Sequence, residues 1–412
     1  MRPLLYKNLR LPLALAEYIV PVVQTLVSDP SLGSLVQTLH ISAWKTCPIR
    51  QGLTGEGHEY EDMREGLLQA DLESVLKKAE QIWPADEGDK WMHDLKSINL
   101  DAWVGLLLAI LPNLSRLEIQ FPWGSKYVPR VVAGAGKGEF STPVLQSLSE
   151  VYASINVWDK NLGLPISDAL PFLSLPFLRG FHGHCLADCE ATPSQIISNC
   201  PNLVAFRCYQ DCSAYGDPQY PLTAYHAILS VKETLETLWV DMDHSLSEYR
   251  GDSIVLPSLI EFASLKALHL PVYCMVNLYS NQRTALFDLS DTIPCSVEKV
   301  HLTGVTREAL HLLMPRLTSY IESGTERRIR LAELAIEMQY NPRDTIRIVN
   351  FPESQSQAVS SDNRVLADRA RRLKAACADA NIALLIDAQR GETLLFDDPD
   401  PSRCEESSDD EL

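Results

Sequence analysis

Histidine and cysteine are the side chains in this sequence with the most chemistry to offer. Their densest gathering runs through His182, His184, Cys185, Cys189, Cys200, Cys208 and Cys212. Imidazoles and thiolates bind zinc, but zinc ribbons and fingers supply them as closely spaced pairs. Here successive Cys lie 4, 11, 8 and 4 residues apart, so those pairs are missing. The expected role is structural, with Cys serving as a small buried hydrophobe. Ala133-Gly-Ala-Gly-Lys-Gly-Glu139 resembles a phosphate loop superficially. It lacks the Gly-x4-Gly-Lys-Ser/Thr spacing, and Gly138 stands where the hydroxyl belongs, so a loop is expected. His58-Glu59 has no second His at helical spacing, and no Gly-x-Ser-x-Gly occurs. No catalytic residue, metal or cofactor is expected, and the chain reads as non-enzymatic.

A second set of histidines acquires meaning only from its spacing. A block of the form Leu-x-x-Leu-x-apolar recurs as Val36–Ile41, Leu114–Ile119, Leu203–Cys208, Leu235–Val240, Leu265–Leu270 and Val297–Leu302. In a strand, alternate side chains point to opposite faces, so the central apolar residue and the one two later face inward. The residue between them faces out. Taking Leu117, Leu148, Phe181, Phe206, Leu238, Leu268, Val300 and Leu334 as central anchors gives separations of 25 to 34 residues. Those values lie in or slightly above the range of about 20 to 29 found in leucine-rich repeats. The predicted outward row is His40, Glu118, Ser149, His182, Arg207, Trp239, His269 and His301. On parallel strands spaced ~4.8 Å apart, Trp239, His269 and His301 become neighbours. Trp239, flanked by Arg207 and Asp241, has the composition of a protein-binding hot spot. No carboxylate falls in the row between the two His, so metal binding or pH sensing by that pair is not favoured.

The elements that must carry this row form an α/β, irregular leucine-rich-repeat-like solenoid, with a parallel strand stack on one face and helices on the other. Residues 12–27 show helical spacing, with Pro12 suited to the first turn and Pro21 to a bend. The first strand is expected at Val36–Ile41. Residues 43–100 interrupt the pattern as an irregular insert with a helix over 63–82 and a second acidic loop. Residues 330–395 read as a C-terminal cap with a strand over 330–338, a basic helix over 364–380 and an apolar run over 382–386. The solenoid is expected over 1–395. Residues 396–412 are expected to be a disordered acidic tail in which Ser407 and Ser408, each with an acid three residues on, are candidate phosphorylation sites.

Bulk composition narrows the partners. The formal charge is −18, of which residues 397–412 supply eight acids and one Arg. Such a balance argues against nucleic acid and anionic membrane, both of which reward surplus Lys and Arg. Ten Cys in 412 residues are too sparse for a disulfide scaffold, so a reducing compartment, cytoplasmic or nuclear, is expected. Arg2, Lys7 and Arg10 precede a short apolar run that mimics a secretory signal, but Glu17 closes it. The terminal Asp-Asp-Glu-Leu looks like a retrieval signal, which has no use without entry to the secretory pathway.

The opening residues 3–11, followed by Thr25–Ile41, resemble the segment just after the F-box in fungal F-box/leucine-rich repeat proteins. Leu111-Pro-Asn-Leu114 and Cys200-Pro-Asn-Leu203 are similar to a repeat phrase of that family. The resemblance implies a substrate receptor of a cullin-based ubiquitin ligase, in which the F-box grips a Skp-type adaptor and the repeats hold an unidentified protein target. It starts where the F-box would end, so the box itself is expected to be missing from this sequence. A stand-alone repeat scaffold without a ubiquitin link is the other expectation.

Overall fold

A computed structural model of the protein describes residues 6–11, 16–42, 44, 72–83, 88–122, 124–155, 164–184, 186–187, 200, 202–210, 228–242, 258–275, 289–324, 328–338 and 361–388. Repeating apolar anchors drive the architecture, since each strand places its central anchor on the same side of one continuous sheet. The strands are β1 (Asn8–Leu11), β2 (Thr38–Ile41), β3 (Arg116–Phe121), β4 (Glu150–Ile155), β5 (Gly180–His184), β6 (Ala205–Gln210), β7 (Thr237–Met242), β8 (Ala267–Pro271), β9 (Lys299–Val305), β10 (Glu333–Met338) and β11 (Ala383–Ala388). They hydrogen-bond in chain order as an open, all-parallel sheet. A separate two-stranded pair joins Leu164–Pro165 to Leu186–Ala187. The ladders differ in length: β10–β11 registers six residue pairs, whereas β7–β8 registers three.

Leu39, Leu117, Val151, Phe181, Phe206, Leu238, Leu268, Val300 and Leu334 form the buried anchor row. Each side chain of this size contributes roughly 1.5–3 kcal/mol on burial. They belong to the same buried cluster as helices α1 (Ala16–Ser28), α2 (Leu72–Ile82), α3 (Gly88–Lys96), α4 (Leu100–Ala109), α5 (Tyr127–Lys137), α6 (Ile166–Leu173), α7 (Arg307–Glu322) and α8 (Ser361–Asp379). Every residue of α4 is buried, as expected of a helix whose side chains are apolar almost all round, Asp101 being its one charged residue. The repeat phrase has a physical use: Asn113 Nδ2 donates to Ser34 O at 2.7 Å, and Asn202 Nδ2 donates to Pro176 O at 3.0 Å. Each Asn clips its turn to the turn before it.

Asp101 fixes where α5 begins. It is 2% exposed, yet its Oδ1 accepts from Trp44 Nε1 (3.3 Å) and Ser125 Oγ (2.6 Å). Its Oδ2 accepts from the Lys126 and Tyr127 amides at 2.6 and 2.9 Å. A carboxylate bonded to amides at a helix start satisfies donors that the helix leaves open.

Several boundaries differ from the sequence reading. β1 precedes the strand expected to be first, because Asn8–Leu11 is short but pairs in register with Thr38–Ile41. Of the helix expected over 12–27, Ala16–Ser28 is helical with Pro21 inside it, and residues 12–15 lie outside the described residues. Of the helix expected over 63–82, Leu72–Ile82 is helical and the rest lies outside them. Part of the expected acidic loop is instead α3, held by its buried Trp91 and Leu95. The glycine-rich stretch is no loop either: α5 runs through to Lys137 and ends on Gly138, whose φ of +68° suits a residue without Cβ. The apolar run after the basic helix becomes β11, an eleventh strand of the sheet.

Candidate functional site

Register assembles the outward row directly. Cα partners run Arg10, His40, Glu118, Tyr152, His182, Arg207, Trp239, His269, His301, Ala335 and Leu385 across all eleven strands. Seven of the expected members, His40, Glu118, His182, Arg207, Trp239, His269 and His301, are in place. Ser149 is not. Leu148 is buried in the turn before β4, the strand anchor is Val151, and Ser149 Oγ donates to Ser115 O at 3.1 Å. Tyr152 takes the outward position. Expected exposure also fails at two sites: His182 is 5% exposed and His269 is 4% exposed, because aromatic neighbours on the adjoining strands cover them.

In the N-terminal half, Glu118 is the hub. It accepts from His40 Nδ1 at 2.8 Å and from Arg116 Nε at 2.9 Å. Since a carboxylate only accepts, the His40 proton must sit on Nδ1. The His40 hydrogen bond, with Arg116 adding to it against burial, holds the Glu118 carboxyl at about 2, well below the carboxylate range. The Arg116 guanidinium lies 4.4 Å from the Tyr152 ring centroid, a cation–π distance. Tyr152 in turn stacks on His182 with centroids 4.0 Å apart and planes at 14°. Burial first, then the charges of Arg207 and Arg116, push the His182 imidazole down to about 3, so it is neutral in neutral solution.

The C-terminal half is built on Trp239. His269 stacks on it at 3.7 Å and 11°, and the Arg207 guanidinium lies 5.2 Å from its ring centroid. Arg207 Nε is buried and meets no acceptor. His269 and His301 meet edge to face, with Nδ1 to Nδ1 at 2.9 Å. The two outer nitrogens each face a carboxylate: His269 Nε2 lies 3.4 Å from Asp241 Oδ2, and His301 Nε2 lies 3.2 Å from Glu337 Oε2. The first of these is in ion-pair range without hydrogen-bond geometry. Thr303 Oγ1 donates to Asp241 Oδ1 at 3.1 Å. The carboxylates absent from the outward row are therefore supplied by a second one. Asp241 and Glu337 stand three residues after the anchors Leu238 and Leu334, one alternation further along β7 and β10. Counting only the residue after each anchor brings in Asp241 as a neighbour of Trp239 and overlooks Glu337.

The remaining sequence candidates lie elsewhere. Cys200 and Cys208 are buried, and burial raises the Cys200 thiol to about 12, as suits a packing residue. Cys185, Cys189, Cys212, Ser407, Ser408, the acidic tail and His58-Glu59 are outside the described residues. Among the described residues no group of three or more His, Cys, Asp or Glu is placed to hold a metal ion, and no helix is long and apolar enough to cross a membrane. Two basic residues of α8 are engaged locally: Arg371 pairs with Asp368, and Arg369 donates to the His311 carbonyl of α7.

Comparison with known proteins gives one answer. No curated protein and no solved structure matches the chain. A family profile described as a leucine-rich repeat domain matches twice, over residues 15–192 and 190–378, which together take in most of the sequence. With a parallel strand stack backed by helices and repeat anchors in one buried row, the chain belongs to the leucine-rich repeat domain family.

Proposed function

We propose that the protein is a non-enzymatic recognition module that binds a protein partner on the sheet face turned away from the helices, centred on Arg207, Trp239 and His301. One observation carries this reading. Arg207, whose Nε is buried without an acceptor and whose guanidinium makes no ion pair among the described residues, lies against a half-buried Trp in the middle of an open sheet. Arg and Trp in a rigid, partly desolvated setting are the residues that most often dominate protein interfaces. The stacked rings fix their rotamers in advance, which lowers the entropy lost on binding. His40, Glu118, Asp241 and His269 then act mainly as supports. Repeat domains of this family typically recognise proteins, which agrees with this reading.

The finer reading follows from the resemblance of residues 3–11 and 25–41 to the segment after an F-box: a substrate receptor for a cullin-based ubiquitin ligase. It is tested by affinity capture of the full chain from cells with quantitative mass spectrometry, in parallel with Trp239→Ala and Arg207→Ala. A partner lost from both variants but kept by Arg371→Ala supports the recognition face. Co-recovery of a Skp-type adaptor and a cullin supports the receptor role, and a captured partner without them supports a scaffold. Capture unaffected by either face variant overturns the site.

A further inference from the structure

Arg116 and Arg207 are one device in two states of completion. Each lays its guanidinium against a ring on the next strand, Arg116 at 4.4 Å from the Tyr152 centroid and Arg207 at 5.2 Å from that of Trp239. Arg116 also has its counter-charges. Glu118, two residues further along β3, lies 2.7 Å from Nη2, and Glu150 on β4 lies 3.8 Å from Nη1. Among the described residues Arg207 has no such partner, and its Nε is buried without an acceptor. Its neighbours on the face are Ala205 and Tyr209 along β6, His182 on β5 and Trp239 on β7, none of which carries a carboxylate. Asp241, across from Tyr209, faces Thr303 and His269 instead. The Arg207 charge is felt locally: after burial, the larger cause, it does most to depress the adjoining His182 imidazole.

The surface beside Arg207 is low. One alternation before the outward row, register joins Gly180, Ala205, Thr237 and Ala267 on β5 to β8, all with short side chains or none. Ion pairs between strands close this row at both ends, Arg116–Glu150 on one side and Lys299–Glu333 on the other. Three strand spacings of ~4.8 Å make the trough about 14 Å long. That is the length of about four extended residues.

We propose that Arg207 is the anion anchor of the recognition face. It receives one Asp or Glu side chain from an extended segment of the partner protein, whose backbone lies in the trough along the solenoid axis. The anchor rests on the recognition reading above and specifies the chemistry of the partner. Because Nε is buried, the carboxylate meets the Nη end of the guanidinium. A guanidinium partly out of water pairs more strongly than a fully exposed one. Its planar fork also fixes the direction of approach, which an apolar contact with Trp239 alone does not. A run of acids is a poor occupant, since Asp241, Glu333 and Glu337 already stand on this face and the chain carries a formal charge of −18. A single acid at a fixed position is the expected signature.

The test sorts a display library of random linear peptides on the full chain, each peptide fused through its C-terminus so that no free α-carboxylate is offered. Binders that Trp239→Ala no longer holds define the face. Among them an Asp or Glu is expected at one fixed position. In the synthetic, C-terminally amidated peptide, its change to Asn or Gln should weaken binding about tenfold or more by fluorescence polarisation. The same peptide change should cost under about twofold in Arg207→Gln, since the two groups then no longer couple. Ala205→Glu supplies the missing counter-charge from within β6, two residues away as in the Arg116–Glu118 pair, and should weaken the acidic peptide by a similar factor. Circular dichroism checks that both variants fold. Face-dependent binders without a preferred acid, an acid whose loss costs as much in Arg207→Gln as in the wild type, or unchanged binding by Ala205→Glu overturns the anchor and leaves the recognition reading standing. A library that yields no binder sensitive to Trp239→Ala counts against the recognition reading, and the anchor falls with it.

Discussion

On one sheet face, two histidine-bearing clusters are held together by different means. In the N-terminal half His40 gives its Nδ1 proton to Glu118, Arg116 neutralises the same carboxylate, and His182 is sealed against Tyr152 as a neutral ring. The Glu118 carboxylate there has its donors whatever His182 does, while His182 Nδ1 is buried without a hydrogen bond. In the C-terminal half two imidazoles meet nitrogen to nitrogen between two carboxylates, and His269 Nε2 is buried without a hydrogen bond. The same geometric device, an outward residue after each anchor, yields a carboxylate-centred support in one place and a histidine contact flanked by carboxylates in the other. The difference is a matter of which strand supplies the cation. Arg116 enters the first cluster from its own strand, while Arg207 in the second is held away from the carboxylates by Trp239.

The sharpest way to break this contrast is to remove the ring at each centre. Trp239→Ala deletes the stack with His269 and the contact with Arg207, and should cost about 3 kcal/mol in urea unfolding. Tyr152→Ala, which deletes the stack with His182 and the contact with Arg116, should cost about 2 kcal/mol in the same measurement. A smaller, pH-dependent effect belongs to His182. Its folded pKa of about 3 lies below the unfolded value of ~6.5, so only the unfolded chain takes the proton as pH falls through that window. Between pH 7 and 5 this lowers stability by about 2 kcal/mol, which His182→Phe should recover. Glu118 works at lower pH. Its carboxyl, depressed to about 2, contributes stability above the unfolded value of ~4.3 that is lost as pH falls toward 2. With partial solvent screening the effect is about 1 kcal/mol, and Glu118→Gln should flatten that limb of the acid unfolding curve. The smallest effect is expected for Arg207→Met. Because the guanidinium makes no ion pair among the described residues, stability should change by under ~1 kcal/mol while partner capture falls.

Much of this face was legible in the sequence because parity is a strict rule. Once Leu238, Leu268 and Val300 are placed inward, Trp239, His269 and His301 have no choice but to face out and meet. The rule failed at Leu148, where Leu145, Leu148 and Val151 are equally apolar and only the backbone decides that the strand starts at Glu150. Exposure was misjudged at His182 and His269, since a flat ring beside a larger aromatic is covered by its neighbour and not by the core. Glu337 was not legible. Its meeting with His301 depends on two strands reaching one alternation beyond the anchor, and the register there shifts between Leu302 and Val305. The Asn in both Pro-Asn-Leu phrases was visible as a pattern, but its bond to the preceding turn required coordinates.

The ladder between β7 and β8 has a mechanical side. Hydrogen bonds of a parallel stack lie along the axis of the solenoid, so tension between its ends pulls them open one strand after another. Resistance then scales with the number of registered pairs, and three is the fewest in this sheet. That seam is where Trp239 and His269 lie flat on each other, bridging the same two strands with a contact that does not depend on the backbone. Among the described strands, the proposed recognition face is thus centred on the seam with the fewest registered pairs. A partner that spans Arg207, Trp239 and His301 would act as a splint across that seam.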